Sequence, residues 1–184
     1  EAIRIWVPGC ATGEEVYSLA IAVLEYLGDG PPPLKIQIFG TDISEAALEK
    51  ARVGVYPVNA LHEVSPERLG RFFSVHNGEY RISKDLRDLC LFARQDVTRD
   101  PPFSRLDLIS CRNLLIYLVP AIQQRVVTIL HYAIKPEGVL WLGGIRILLA
   151  ESGHIRRLLE GGVVDAGRRG VEVTLDACSL LCHQ

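Results

Sequence analysis

The chain has 184 residues, enough for one domain with a buried core, and 48% of them are hydrophobic and 23% charged, as in ordinary globular proteins. A formal net charge of −2 provides no electrostatic basis for binding nucleic acid or an anionic membrane surface. No apolar run reaches the roughly 18 residues that a membrane-spanning helix needs, so we expect no membrane insertion.

The chain opens with a strand pattern, a glycine loop and a helix pattern. A β-rich run at residues 3–7 precedes the loop at residues 9–15, and an apolar helical face then ends near Gly28. Thr12 and Glu15 have the S/T-x-x-E spacing of a capping box, which predicts where this helix begins.

A second strand and helix follow, and then the alternation is interrupted. The strand ends at Asp42, and Ser44 is the expected N-cap of a helix that runs to Arg52. Residues 53–92 contain a short predicted helix and, at Asn77-Gly78, a hairpin signal between alternating segments. We interpret this stretch as a small inserted β-subdomain.

Three further strands and a helix complete the pattern. The strands are predicted at residues 89–93, 106–110 and 139–142, and the helix at residues 120–134. A weaker strand signal lies at residues 171–175, and a short helix is predicted around Leu158. Strands that alternate with helices predict right-handed crossovers and a mostly parallel, doubly wound α/β sheet. Ligands of such sheets bind at the carboxyl ends of the strands, near the switch point. The residues expected there are Gly9 to Glu15, Asp42, Asp96, and Cys111 to Asn113.

The glycine loop indicates the charge of its ligand. Its sequence, GCATGEE, is neither the dinucleotide fingerprint G-x-G-x-x-G nor a P-loop. Glu14 and Glu15 at its exit would repel a pyrophosphate, which disfavours an NAD-dependent oxidoreductase. They suit a ligand with positive charge, such as a sulfonium and an ammonium. The alternative is that both acids only complement the helix dipole.

Two aspartates follow predicted strands where a nucleoside would bind. A carboxylate at Asp42, the end of the second strand, can accept both hydroxyls of a ribose. The alternative for Asp42 is an N-cap or a solvated loop acid. Asp96 follows the third strand and can accept from an adenine amino group, although a simple turn residue explains it nearly as well.

The five cysteines indicate a reducing compartment. Their odd number and wide spacing argue against a disulfide framework and fit a cytoplasmic protein. Cys178, Cys182 and His183 match no common zinc spacing, so we predict no metal site. The thiols are interpreted as small buried hydrophobic groups.

Several of these segments together resemble a known family. The run RIWVPGCATGEEVYSLA, the segments GTDIS and ALEKA, and above all SCRNLLIYL are similar to the catalytic domain of the CheR family of chemoreceptor glutamate methyltransferases, over about residues 3–142. That family transfers a methyl group from S-adenosylmethionine to glutamate side chains of receptor cytoplasmic helices and leaves S-adenosylhomocysteine. The resemblance implies a Rossmann-like S-adenosylmethionine-dependent methyltransferase fold over residues 1–184, with a chemoreceptor cytoplasmic domain as partner.

The resemblance also assigns residues. Glu15 and, less directly, Glu14 would meet the methionine end of the cofactor, and Tyr117 and Arg112 would be catalytic. Tyr117 would face the methyl group, with core packing as its alternative, and Arg112 would steer a carboxylate, with bracing of the fold as its alternative. The full set of expected cofactor contacts is Gly9, Cys10, Glu14, Glu15, Asp42, Ile43, Asp96, Val97, Cys111, Arg112 and Asn113.

The chain departs from the family in two regions. The family's N-terminal helical domain and its T-x-F-F-type segment are missing, so we expect a part of a longer protein. Residues 145–184 do not align with the family pattern. The insertion corresponds to the family's receptor-docking subdomain, and its short Asn77-Gly78 turn is more like members that do not bind a receptor pentapeptide. A non-catalytic cofactor-binding or receptor-docking module therefore remains a second hypothesis.

Overall fold

The structure is a computed structural model that describes residues 2–28, 34–112, 114–142 and 163–165. The strands in these ranges are β1 (Ala2–Pro8), β2 (Lys35–Asp42), β3 (Val55–Pro57), β4 (Phe73–His76), β5 (Glu79–Ile82), β6 (Cys90–Arg94), β7 (Leu106–Ser110), β8 (Ile134–Trp141) and β9 (Val163–Asp165). The α-helices are α1 (Glu14–Leu27), α2 (Glu45–Val53), α3 (Pro66–Phe72), α4 (Lys84–Arg87) and α5 (Pro120–Ala133). Short 3₁₀ helices cover Val58–Leu61 and Leu115–Tyr117.

The larger sheet has the strand order β6-β2-β1-β7-β8-β9. All of its neighbouring strands are parallel except β9, which pairs antiparallel with β8. The chain moves outward from β1 through β2 to β6, then crosses back to add β7 on the other side of β1. The switch point therefore lies between β1 and β7, and the doubly wound, mostly parallel α/β architecture expected from the sequence is confirmed.

The alternation of side chains along β1 divides the core between the two faces of the sheet. Ile5 and Val7 are buried in a cluster that includes the inner faces of α1 and α2, whereas Trp6 is buried with the apolar face of α5. Successive strand residues point to opposite faces, so a strand buried on both sides reads as one continuous apolar run.

The predicted capping box of α1 is wrong. Gly13, with φ 92°, is the N-cap, and the Thr12 hydroxyl donates a hydrogen bond of 2.6 Å to the Glu14 carboxylate. Glu15 is consequently the second helical residue, one position too early to close a box with its N-cap. The left-handed conformation, which only glycine adopts at low cost, fixes this start.

The insertion forms its own antiparallel sheet, with the order β3-β5-β4. Asn77 and Gly78 both have positive φ, 52° and 79°, as a two-residue hairpin requires, so the predicted hairpin is confirmed. The expected boundary at residue 92 needs a correction, because Cys90 already pairs with Ile38 in the larger sheet. Hydrogen bonding to β2 assigns β6 to the main domain.

Some expectations concern parts of the chain that are not described. The strand predicted at residues 171–175 and the helix around Leu158 lie outside the described residues. Within the described ranges, no helix is both long and apolar enough to cross a membrane.

A tight contact between β2, β6 and α1 gives a test of this packing. A Cβ atom added at Gly40 would lie 2.7 Å from Phe92 Cδ1 and 2.9 Å from Val16 Cγ2. Both neighbours belong to packed elements, so we expect Gly40→Ala to lower the free energy of unfolding by about 1–3 kcal/mol in chemical denaturation. Gly70→Ala is the control, because an added Cβ there meets nothing within 4 Å and improves helix propensity. Equal stability of the two variants would contradict the packing described.

Candidate active site

The carboxyl ends of β1 and β2 fix the glycine loop. The backbone N–H groups of Gly9 and Cys10 both donate to the Thr41 carbonyl oxygen, at 2.7 and 3.0 Å. The Trp6 indole N–H donates to the Thr41 hydroxyl at 2.9 Å. Because parallel strands end at the same edge of the sheet, the loop and the end of β2 form one continuous rim. The structure thus brings Gly9 and Cys10 beside Asp42, as the sequence predicts.

Asp42 is the last residue of β2 and ties two segments together. One carboxylate oxygen accepts from Ala11 N–H at 3.0 Å, and the other accepts from Ser44 N–H at 2.8 Å. The N-cap of α2 is Ser44, whose hydroxyl accepts from Ala47 N–H at 3.3 Å, so the N-cap alternative for Asp42 is wrong. An ionised carboxylate has about four acceptor positions, which leaves each oxygen able to accept one more hydroxyl. Ile43, which follows, is 65% exposed at the same edge.

Glu15 lies at the switch point. The hydroxyl of Ser110, the last residue of β7, donates to its carboxylate. Burial raises the pKa of Glu15, while the Ser110 hydrogen bond and the positive charge of Arg112 act in the opposite direction. Glu14 differs, because its carboxylate accepts from the Thr12 hydroxyl instead. Of the two acids at the loop exit, only Glu15 contacts the far side of the switch point.

Arg112 follows β7 and stacks on an aromatic ring. Its guanidinium carbon lies 4.9 Å from the ring centre of Trp141, at the end of β8. The bracing contact proposed as an alternative is therefore present, and the same charge also acts on Glu15. Cys111 is fully buried, and its N–H donates to the Trp141 carbonyl at 2.8 Å. Asn113 lies outside the described residues.

Tyr117 lies in the 3₁₀ helix that follows this loop. Its side chain is 80% exposed, so the alternative of an aromatic packed on the core side is wrong. Leu115 occupies the core instead, and Tyr117 adjoins the exposed side chains of Ile116 and Val119. The ring is accessible to another molecule.

Asp96 is engaged in a turn. One carboxylate oxygen accepts from the N–H and the hydroxyl of Thr98, at 2.9 and 2.6 Å, and these bonds lower the pKa of Asp96. The turn interpretation thus has direct support, and a contact with adenine stays a prediction. Val97 is buried in the core beneath this turn.

The described cysteines behave as apolar groups. Burial raises the pKa of Cys10 and of Cys111 to about 12, so both thiols are protonated at neutral pH. Among the described residues, no group of three or more His, Cys, Asp and Glu side chains has an arrangement that could hold a metal ion. Cys178, Cys182 and His183 lie outside them.

Two contributors to the site were not expected from the sequence, namely Ser110 and Trp141. Each lies at the carboxyl end of its strand, so the rule that ligands bind at strand ends could have singled them out. Nothing in the local sequence indicates that a serine hydroxyl would meet Glu15, 95 residues away in the chain.

The comparison with known proteins decides the family. A family model described as CheR methyltransferase, SAM binding domain, matches residues 1–157. The chain belongs to the CheR methyltransferase family. The chemotaxis protein methyltransferase of Escherichia coli (strain K12) is 34% identical to it over 149 residues, which are 76% of this chain and 50% of that protein.

The matched region makes up very different shares of the lengths of the relatives. An "Uncharacterized 104.1 kDa protein in hypE 3'region" of Rhodobacter capsulatus is 37% identical over 147 residues, which are 80% of this chain and 15% of that protein. The chain spans about half the length of the chemotaxis methyltransferases it matches. A solved structure of PKMT2 from Rickettsia typhi with AdoHcy superposes with a TM-score of 0.48, covering 76% of this chain and 20% of that chain at 13% identity.

The residues of the site fit the cofactor of this family. Glu14 and Glu15 lie at the exit of the glycine loop, and Asp42 accepts from Ala11 within it. These carboxylates are negatively charged acceptors, which disfavour phosphates and suit a sulfonium, an ammonium and a ribose diol. The expected methyltransferase fold and S-adenosylmethionine as the cofactor are thereby confirmed at the level of the family.

Proposed function

We propose that this chain is the catalytic domain of a cytoplasmic protein-glutamate O-methyltransferase that acts on the cytoplasmic domain of chemoreceptors. The observation that carries the proposal is the Glu15 carboxylate held by Ser110 at the switch point, at the exit of the loop that Asp42 contacts at Ala11, in a chain of the CheR family. The chemotaxis methyltransferases among its relatives support a chemoreceptor substrate.

Each part of the proposed cofactor site has its own function. Asp42 would accept the ribose hydroxyls, with Ile43 beside it, and Asp96 and Val97 would border the adenine. Glu15 would accept from the ammonium of the methionine moiety, next to Gly9 and Cys10. Cys111 to Asn113 would close the pocket. When bound, S-adenosylmethionine supplies an electrophilic methyl group on a sulfonium.

The remaining chemistry requires orientation more than proton transfer. A glutamate side chain is already ionised at neutral pH, so no strong general base is needed to make it a nucleophile. The protein must align the carboxylate with the methyl group and exclude water from both. Tyr117, exposed in the 3₁₀ helix that follows β7, would contact the incoming side chain, and the charge of Arg112 would steer the carboxylate.

Substitution of Tyr117 tests catalysis separately from cofactor binding. We expect Tyr117→Phe to lower methyl transfer to a receptor cytoplasmic fragment about 10-fold, the loss of one hydrogen bond to a charged group. Binding of S-adenosylhomocysteine, measured by calorimetry, should change less than about 2-fold, because the exposed ring supports no part of the core. Tyr132→Phe, on a tyrosine 79% exposed on α5, is the matched control. Equal losses of transfer and binding would reduce Tyr117 to pocket lining.

Arg112→Ala extends the same test. It removes the stacking on Trp141 and a charge that acts on Glu15. If Arg112 steers the acceptor carboxylate, methyl transfer must fall further than S-adenosylhomocysteine binding. If only the thermal stability falls, Arg112 supports the fold and does not steer the acceptor.

A non-catalytic module is the second candidate. The 15% coverage of the 104.1 kDa relative favours it, since a CheR domain there is a small part of a larger chain. In this case the three-stranded sheet of the insertion would bind a receptor. Because its Asn77-Gly78 turn is short, it would not use a receptor pentapeptide. Cofactor binding without methyl transfer, even in the presence of an N-terminal helical domain from a relative in the family, would support this candidate.

A further inference from the structure

A side chain of the insertion reaches the glycine loop. Tyr56, in the middle of β3, is 5% exposed, and its hydroxyl donates to the Thr12 carbonyl oxygen at 2.8 Å. Thr12 belongs to the loop whose other described anchors, Thr41 and Asp42, lie in the main sheet. Tyr56 therefore joins the inserted subdomain directly to the loop that is proposed to contact the cofactor.

The loop depends on such external hydrogen bonds. Ala11 has φ 47°, a left-handed conformation that is unfavourable for a non-glycine residue. Strained backbone persists only where its surroundings over-determine it. The Ala11 N–H donates to Asp42 on one side, and the carbonyl of the next residue, Thr12, accepts from the Tyr56 hydroxyl on the other. Without the phenol, one of the two side-chain hydrogen bonds to this segment is lost, and the turn bond from the Gly13 N–H to the Cys10 carbonyl, at 2.9 Å, remains.

The insertion has a second anchor at the opposite end of α1. Arg68 forms two hydrogen bonds with the Glu25 carboxylate, at 2.8 and 2.7 Å. Glu25 is 11 residues beyond Glu14, about 17 Å along the helix axis at 1.5 Å per residue. The subdomain thus packs on α1 through a shared apolar core, with the Arg68–Glu25 ion pair near one end of the helix and the Tyr56 contact with the glycine loop near the other.

We propose that Tyr56 is a positioning residue that makes the conformation of the glycine loop, and hence the affinity for S-adenosylmethionine, depend on the position of the inserted subdomain. The identity of the ligand rests on the proposed function. Because coupling free energies are reciprocal, a partner that shifts the subdomain changes cofactor affinity, and the cofactor changes affinity for that partner.

Two matched phenylalanine variants test the contact. We expect Tyr56→Phe to raise the Kd for S-adenosylhomocysteine about 5- to 20-fold in calorimetry, the loss of one buried hydrogen bond. Tyr17→Phe removes an equally buried bond, from the hydroxyl to the Ala51 carbonyl at 2.7 Å, outside the loop. It should lower the unfolding midpoint similarly while changing the Kd less than about 2-fold. Equal changes of Kd in the two variants would overturn the proposal.

A double-mutant cycle tests the dependence on the subdomain. Arg68→Gln loosens the distant anchor and should raise the Kd about 2- to 5-fold alone, within the range of coupling energies between linked residues. In a Tyr56→Phe background it should add nothing, since the connection to the loop is already broken. Additive losses, or no effect of Arg68→Gln alone, would show that the subdomain does not act through Tyr56.

Hydrogen exchange separates this inference from the proposed function. Without ligand, the amides of residues 10–13 should exchange faster in Tyr56→Phe than in the wild type or Tyr17→Phe. Unchanged exchange overturns the positioning role. If the wild type does not bind S-adenosylhomocysteine, the proposed function fails and the claim on cofactor affinity fails with it. Faster exchange would then still place control of the loop at Tyr56.

Discussion

Asp42→Ala is expected to weaken S-adenosylhomocysteine binding by roughly 30- to 1,000-fold, about 2–4 kcal/mol for two hydrogen bonds to a charged acceptor. Each Asp42 oxygen already accepts one backbone N–H, from Ala11 or Ser44, and retains capacity for one ribose hydroxyl. Titration calorimetry measures the loss, and Asp88→Ala is the control, since that exposed carboxylate pairs with Lys84 and is not among the residues assigned to the cofactor.

A cofactor analogue separates contact with the ribose from support of the loop. A wild-type chain should bind 2′,3′-dideoxy-S-adenosylhomocysteine at least about 10-fold more weakly than the natural product. Asp42→Ala should discriminate between the two ligands less than about 3-fold, because its partner for the hydroxyls is gone. Full discrimination by the variant would mean that Asp42 only clamps Ala11, and the ribose assignment would be abandoned.

Glu15→Gln is expected to weaken S-adenosylhomocysteine binding roughly 10- to 100-fold, through loss of a charged acceptor for the ligand's ammonium. The amide has nearly the same shape and can still accept from Ser110, so the change isolates the charge. Glu14→Gln makes the same substitution one residue earlier, where the carboxylate accepts from the Thr12 hydroxyl, and it should weaken S-adenosylhomocysteine binding much less. Equal losses at the two positions would point to the overall charge of the loop instead of a contact at Glu15.

Folding stability and affinity for S-adenosylhomocysteine should depend on pH with opposite signs. The pKa of Glu15 is raised in the folded state by burial, so its contribution to stability is largest below its unfolded pKa and is lost as pH rises through the folded value. At neutral pH the ligand-free Glu15→Gln variant should therefore unfold at a higher temperature than the wild type. A cationic ligand needs the ionised carboxylate, so wild-type affinity should rise over that same pH interval and the variant's should not. If the affinity of Glu15→Gln rose with pH as steeply as that of the wild type, Glu15 would be excluded as the titrating group.

Predictions of where residues lie were most successful where a local signal and a topological rule coincide. Asp42 ends an apolar run that reads as a buried strand, and parallel sheets place ligands at such ends, so its location at the loop followed from the sequence alone. Asp96 lacks this advantage, because an aspartate after a strand serves equally as a turn residue, and the hydrogen bonds of Thr98 show that turn.

Local patterns failed where two conformations compete for the same residues. The spacing of Thr12 and Glu15 fits a capping box, but the N-cap is Gly13, one residue later. The Glu15 carboxylate accepts a hydrogen bond from Ser110 instead. Periodicity likewise assigned one apolar face to α1, whereas Tyr17 and Ile21 are buried as well. The inserted subdomain packs against that helix, and its contribution to burial has no trace in the helix sequence.

The sequence by itself determined the doubly wound α/β fold, the hairpin at Asn77-Gly78 and the CheR family, because helix and strand periodicity, turn chemistry and a continuous motif are all local properties. Only the tertiary structure decided which carboxylate lies at the switch point, that Arg112 stacks on Trp141, and that Tyr56 holds the glycine loop. Those contacts join residues far apart in the chain, and their geometry depends on how whole elements pack. A residue's chemical type limits what it can bind, but only packing selects its partner.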